Sequence, residues 1–315
     1  MIRKRSTHFA ILGTLALSAG FFFGAASAQA QQTDFKMDPG EETVTYTYQW
    51  KDQYDTDQNL SFVMPKENVL ASALDFDQSG IEHMRKRVHM AIQRYAKGYK
   101  HRMGLEVQFD DADRLVVYGN FKTQGERDRM VAALENLRQR TMYEYMQENM
   151  VTMGPYDQLV PDVARVSHEY AKFFTPLVPE LNKKVGTASD RSMANFVAGL
   201  VQTIPSPKKG FTRFTLPLST MTLNRGSYAS KAAVYGAIMR ALYPQMRMIT
   251  LNLKDRIYIG LAIQPRDTDY TLKVYDNTFV IVDPNTGRPL EVGNVAFKAD
   301  EKEQYTYFEI PRDPA

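Results

Sequence analysis

Catalysis needs reactive side chains within reach of one another, and this chain of 315 residues has few of the usual ones. It contains no cysteine, which excludes a disulfide, a thiolate metal site, a lipid-bearing cysteine and a cysteine nucleophile. The histidines after residue 30 are His83, His89, His101 and His168. His83 and His89 fall on one helical stretch, where six residues at roughly 100° each set the two rings about 120° apart, so they do not share a metal. His168 projects to the solvent side of the stripe made by Val163, Val166 and Tyr170. No His-Glu-x-x-His, no Gly-x-Ser-x-Gly and no phosphate-cradling glycine loop occurs. Asp110, Asp111 and Asp113 are dense enough for a cation, but they join two short strands, where turn chemistry selects aspartate. These residues call for no cofactor and no metal.

Charge is concentrated in one place. Arg85, Lys86, Arg87, Arg94, Lys97, Lys100 and Arg102 lie between Glu82 and Glu106 with no acidic residue among them. On a helix they form a basic face opposite the apolar stripe Ile81, Met84, Val88, Ile92, Tyr95 and Tyr99. Such a face suits an anionic partner or lipid surface, or simple solvation with acidic partners elsewhere in the fold. The whole chain has no basic field to match it, because Arg3, Lys4 and Arg5 account for the entire excess of 39 basic over 36 acidic residues. Nucleic acid is therefore not an expected partner. Those three residues precede an apolar stretch that ends in Ala28-Gln29-Ala30, which reads as a signal peptide over residues 1–30. The expected product is a periplasmic protein with no transmembrane segment once the signal is removed.

The elements that must position any site follow from periodicity. Residues 43–50 and 60–64 read as a β-hairpin around a polar turn. Helical spacing predicts helices over residues 80–104 and 125–150, with two short strands at 105–110 and 114–120 between them. Together these give a ββαββα unit over 31–153, which ends at Gly154-Pro155. The second unit, 154–315, starts with helices, among them 192–203 and the almost wholly apolar 229–242, whose only charges are Lys231 and Arg240. Five short β-rich runs follow, which predicts an antiparallel sheet packed on those helices and an α+β fold overall.

The second half also carries a resemblance. Phe196-Val197-Ala198-Gly199-Leu200-Val201-Gln202-Thr203-Ile204-Pro205, then Leu216-Pro217-Leu218-Ser219-Thr220-Met221-Thr222-Leu223, then Arg225-Gly226-Ser227-Tyr228-Ala229-Ser230-Lys231-Ala232-Ala233 resembles the transglutaminase-like superfamily of bacterial envelope proteins. The likeness covers about residues 192–294. In that family the central helix opens with a catalytic cysteine, a strand brings a histidine, and the end of the next strand brings an aspartate. The resemblance sets Tyr228 in the cysteine's place, Arg256 in the histidine's and Asp283 in the aspartate's. A phenol with an ordinary pKa near 10 is a poor nucleophile, and a guanidinium accepts no proton.

The resemblance therefore implies a catalytically inactive relative that binds a peptide, an envelope protein or a cell-wall polymer. Ser227, Tyr228, Ser230 and Arg256 would line its groove, and Arg85, Lys86, Arg87, Arg94 and Lys97 offer a second basic surface. The alternative is a hydrolase or acyltransferase with a non-cysteine nucleophile in the same cleft, such as Ser227 with Lys231.

Overall fold

In the computed structural model, which describes residues 32–71, 80–111, 113–186, 189–207, 214–286, 288–296 and 304–313, alternation of side chains builds the first sheet. Strand β2 (Thr43–Lys51) buries Val44, Tyr46, Tyr48 and Trp50 and turns Thr43, Thr45, Thr47 and Gln49 outward. Its partner β3 (Asp57–Pro65) buries Leu60, Phe62 and Met64. A further strand, β1 (Gln32–Pro39), pairs antiparallel with β2. The sequence reading leaves β1 out because only Phe35 and Met37 among its eight residues are large and apolar.

Helix α1 (Lys66–Ala71) follows, then α2 (Gly80–Met103). Gly104, at φ +60°, takes the chain out of α2 through a left-handed turn that favours glycine. The hairpin β4 (Glu106–Phe109) and β5 (Leu115–Tyr118) leads to α3 (Gln124–Glu148), which Thr123 caps by accepting from the Glu126 amide at 3.2 Å. Val88, Ile92, Ala96, Leu105, Val117 and Leu134 form the core of this αββα unit.

A small hairpin, β6 (Val151–Met153) and β7 (Leu159–Pro161), surrounds the Gly154-Pro155 break. The helices α4 (Val163–Ala171), α5 (Val178–Val185), α6 (Asp190–Thr203), α7 (Pro217–Leu223) and α8 (Tyr228–Leu242) come next. The last sheet contains β8 (Met248–Asn252), β9 (Ile257–Leu261), β10 (Thr271–Val274), β11 (Asn277–Val282) and β12 (Thr306–Glu309), in the order β10-β11-β9-β8-β12 and antiparallel throughout. Helix α8 is buried nearly all round, as its composition requires. It meets α4 so closely that a methyl group on Gly236 would lie 2.3 Å from the Ser167 hydroxyl oxygen.

The mixed α+β class with antiparallel sheets is what the periodicity predicts. The grouping of the core differs from the sequence reading. Val44, Tyr46, Tyr48, Trp50, Leu60, Phe62 and Met64 share one buried cluster with α4, α6, α8 and the inner sides of β9 and β11, while α2, β4, β5 and α3 keep a cluster of their own. The physical reason is area: a two- or three-stranded sheet with so many aromatic residues on one face cannot cover that face by itself. Tyr48 fastens it by donating to the Met221 carbonyl at 2.7 Å, and Tyr46 shares a 2.7 Å hydrogen bond with Thr222. The expected signal peptide, 1–30, lies outside the described residues. No helix among the described residues is long and apolar enough to cross a membrane.

Candidate functional site

The N-terminus of α8 is where the resemblance places chemistry, and local rules explain how it forms. Ser227 is the N-cap, extended at φ −66° and ψ 171°, and its Oγ accepts from the Ser230 amide at 3.3 Å. The two hydroxyls also bond to each other at 2.9 Å. Ser230 is wholly buried, and its Oγ accepts from the Thr215 amide at 2.8 Å and from the Thr215 hydroxyl at 3.2 Å. Thr215 in turn bonds Thr220 at 2.7 Å. Both serines are thus committed to helix capping and to holding the preceding loop.

One helical position further on, Lys231 is 1% exposed, and its Nζ donates to the Gln202 carbonyl at 3.3 Å. Burial pulls its pKa from 10.5 down to about 8, opposed by the negative charge of Asp283. Gln202 is also fully buried. Its Nε2 donates to the Asp283 carbonyl at 2.8 Å and its Oε1 accepts from the Leu290 amide at 2.9 Å, so it ties α6 to the end of β11. Asp283 accepts from the Asn285 amide at 3.0 Å and the Ala296 amide at 3.4 Å. Burial raises its pKa, partly offset by those amides, by Arg256 and by Lys231.

Arg256 and Asp283 are therefore within electrostatic reach of each other, and Lys231 joins them. The Arg256 Nε donates to Asp255 at 2.9 Å, and its guanidinium also bonds the Tyr258 hydroxyl; Asp255 is the larger influence that raises its pKa. The register Val282↔Ile259, continued by one step, sets Asp283 across from Tyr258. Tyr258 packs with Ile249, Leu251, Phe279 and Ile281 on one side of the sheet, whereas Ile257 and Ile259 face α8 from the other. Tyr228 packs half-buried against the main core. Its phenol is pushed up first by burial and then by the charge of Asp255.

Gly260, on the same strand as Tyr258, is fixed by packing: a methyl group there would lie 2.7 Å from the Ile249 Cγ1. Gln202, Asp255, Tyr258 and Thr215 belong to this corner without having been named as site residues from sequence. Lys231 was named, as a charge inside an apolar helix and as a partner for Ser227.

The basic helix is the second candidate. Arg85 pairs with Glu82 at 2.9 Å and Asp113 at 3.4 Å, and Arg87 forms a two-pronged bridge to Glu148. Lys86, Arg94 and Lys97 are exposed on α2. Between α2 and α3 runs a groove of about 580 Å³ lined by the apolar Met90, Ala91 and Leu137, by Lys86, Arg87, Arg94 and Arg140, and by Glu144, which pairs with Arg140 at 3.8 Å. Met90 is 53% exposed there. His89, beside this face, donates or accepts at 2.7 Å with Asp113 and stacks on Phe109 at 3.7 Å, so the aspartate turn and this histidine serve each other. Comparisons with protein-family models, with curated proteins and with solved structures give no match for this chain.

Proposed function

We propose that this chain works by binding and not by turnover, as an exported, catalytically inactive relative of the transglutaminase-like proteins. Its partner is an anionic stretch of a peptide, an envelope protein or a cell-wall polymer. The observation that carries this reading is the α2–α3 groove, where the apolar Met90, Ala91 and Leu137 lie beside Lys86 and Arg94, while Arg87 and Arg140 pair with Glu148 and Glu144. That combination takes an amphipathic acidic segment, whose apolar side covers Met90 while its carboxylates meet Lys86 and Arg94. Support for the inactive state comes from the α8 corner. Ser227 and Ser230 are held as cap and loop anchor, and the Tyr228 phenol is moved away from neutral pH.

A titration with a Glu/Leu-rich helical peptide and with its Lys/Leu counterpart tests the reading. Tight binding of the acidic peptide alone, weakened about tenfold or more by Lys86→Glu with Arg94→Glu and by added salt, is the expected result. Equal binding of both peptides, or no effect of the double variant, would reject it.

One observation favours the enzymatic alternative, a lysine whose pKa is lowered to about 8 and which stands four residues after Ser227 on α8. Ester or amide turnover by the purified chain that vanishes in Ser227→Ala would establish that reading instead.

A further inference from the structure

Strand β1 is a sheet edge. It pairs with β2 along one side, and no strand among the described residues pairs with the other. The strand is anchored to the body of the protein. The side-chain amides of Gln32 and Asn224 exchange hydrogen bonds at 3.1 and 2.7 Å, and the ring centroids of Phe35 and Tyr48 lie 4.9 Å apart. From Lys36 to Pro39 every residue is exposed. Two hydrogen bonds show which backbone groups face outward. The Gly40 amide donates to the Thr43 carbonyl at the start of β2 at 2.7 Å, so by alternation the amides of Asp38 and Lys36 also point to β2. The Phe35 amide instead donates to the carboxylate of its neighbour Asp34 at 2.9 Å. Phe35, Met37 and Pro39 therefore turn their peptide groups to the open edge, where proline lacks only the N–H.

An open edge is a template for another strand, and the residues of this one select a second copy of the chain. Antiparallel pairing about a two-fold axis at Met37 sets Lys36 opposite Asp38 of the copy, and Asp38 opposite its Lys36. These are non-hydrogen-bonded positions, where facing side chains come closest. Asp38 has no ion-pair partner among the described residues, while Lys36 has Asp34 at 3.5 Å on its own strand. On the opposite face Met37, 39% exposed, meets its own counterpart, and Phe35 meets Pro39. The backbone agrees with this register. Each Met37 amide reaches the other Met37 carbonyl, and each Phe35 amide exchanges the Asp34 carboxylate for the Pro39 carbonyl.

Other partners fit less well. An axis at Lys36 would oppose Lys36 to Lys36 and Asp34 to Asp38, like charge against like. An axis at Phe35 would run the pairing into the irregular stretch between Gln32 and Asp34. A strand of uniform charge would meet both signs along Asp34, Lys36 and Asp38. We propose that the β1 edge is a dimer interface, where two copies of this chain pair antiparallel about Met37 and join their first sheets into one. Such a contact uses the same patch on both copies, so it closes at two and does not propagate. It is smaller than a standard interface of about 1,600 Å², which makes the association weak and concentration-dependent. The dimer would carry two α2–α3 grooves and hold a repeating acidic polymer at two points; that consequence, unlike the dimer, rests on the proposed function of the groove.

Sedimentation velocity of the purified chain from about 1 to 500 µM tests the proposal. The expected result is monomer at the low end and a growing fraction of dimer above it. Lys36→Glu sets glutamate against Asp38 and should weaken the dimer about tenfold or more, and Lys36→Glu combined with Asp38→Lys restores opposite charges and should restore it. Met37→Cys supplies the only thiol in the chain, at a Cα separation from its counterpart of about 5.5 Å, which a disulfide can span. It should cross-link to a dimer under mild oxidation, whereas Val63→Cys, exposed on β3, should not. All the altered positions are exposed, circular dichroism reports whether each variant is folded, and the sedimentation of the unaltered chain is a test by itself. A chain that stays monomeric at the highest concentration, a dimer indifferent to Lys36→Glu, a charge swap that fails to restore it in a folded protein, or equal cross-linking at residues 37 and 63 would each overturn the proposal.

Discussion

Replacing Lys231 by methionine tests the electrostatics of the α8 corner through its pH dependence. In the folded chain this ammonium lies in a buried site and holds its proton less firmly than in water, with a pKa of about 8 against 10.5. Below pH 8 both folded and unfolded chains carry the proton, and the folded chain bears the whole cost of burying it, about 3 kcal/mol from the gap between those two values. Between pH 8 and 10.5 the folded lysine loses its proton first, the unfolded state binds more protons, and stability rises with pH. Above 10.5 the cost is gone. Integrated from pH 7 to pH 10, the wild type should gain about 2 to 3 kcal/mol relative to Lys231→Met, whose site has nothing to titrate.

The difference at pH 7 itself is smaller, because the variant also loses the hydrogen bond to the Gln202 carbonyl and takes from Asp283 one of the two cations near it, leaving Arg256. Urea unfolding of both proteins at several pH values between 7 and 10 supplies the measurement. Titration of tyrosines and other groups is common to both chains and cancels in the difference. A wild-type advantage that stays flat over this range would refute the reasoning, since it would mean that the ammonium is fully compensated where it lies.

Two further predictions concern packing and the old triad positions. Gly236→Ala pushes a methyl group into Ser167 at the α4–α8 contact and should cost about 1 to 3 kcal/mol, seen as a lower melting temperature; an unchanged melt would show that the two helices can separate freely. Arg256→Ala should cost about 1 to 3 kcal/mol, because the exposed Asp255 can turn to solvent while the buried Tyr258 hydroxyl loses a hydrogen-bond partner, and it should leave the acidic-peptide titration unchanged. A loss of peptide affinity in a stable Arg256→Ala protein would move the binding surface from α2 to the α8 corner.

Much of the architecture was legible because single elements carry strong local signals. The apolar run at 229–242 had to be a buried helix, and the five β-rich runs after it had to pair, which they do in one antiparallel sheet. Strand β1 was illegible since its charged, exposed sequence has almost no apolar face to show. The allegiance of the first hairpin was illegible for another reason: alternation tells which face is buried but not what buries it. The corner was only half legible. A lysine in an apolar helix marks a buried charge, but its partner, the Gln202 backbone carbonyl, has no sequence signature. The charge of Arg256 reaches Asp283, yet Asp255 and Tyr258 hold its guanidinium, and residue types alone do not say which neighbours a guanidinium will choose.

Strand β12 gives the chain an all-or-nothing character. It pairs with β8, whose five residues are all buried, and the next carbonyl, that of Ile310, is held by the Arg240 guanidinium at 2.8 Å together with the Tyr243, Pro244 and Met246 carbonyls. Residues near 45 and residues near 310 thus close the same core, and pairings between such distant parts of a chain are slow to form in folding. A nascent or clipped chain that lacks only this last strand would not be a slightly smaller version of the protein. It would present β8 as a bare, apolar edge, a template on which two such chains pair with each other. Loss of a few residues at that strand is therefore a route to aggregation, and integrity at residues 306–310 serves as a checkpoint for the whole molecule.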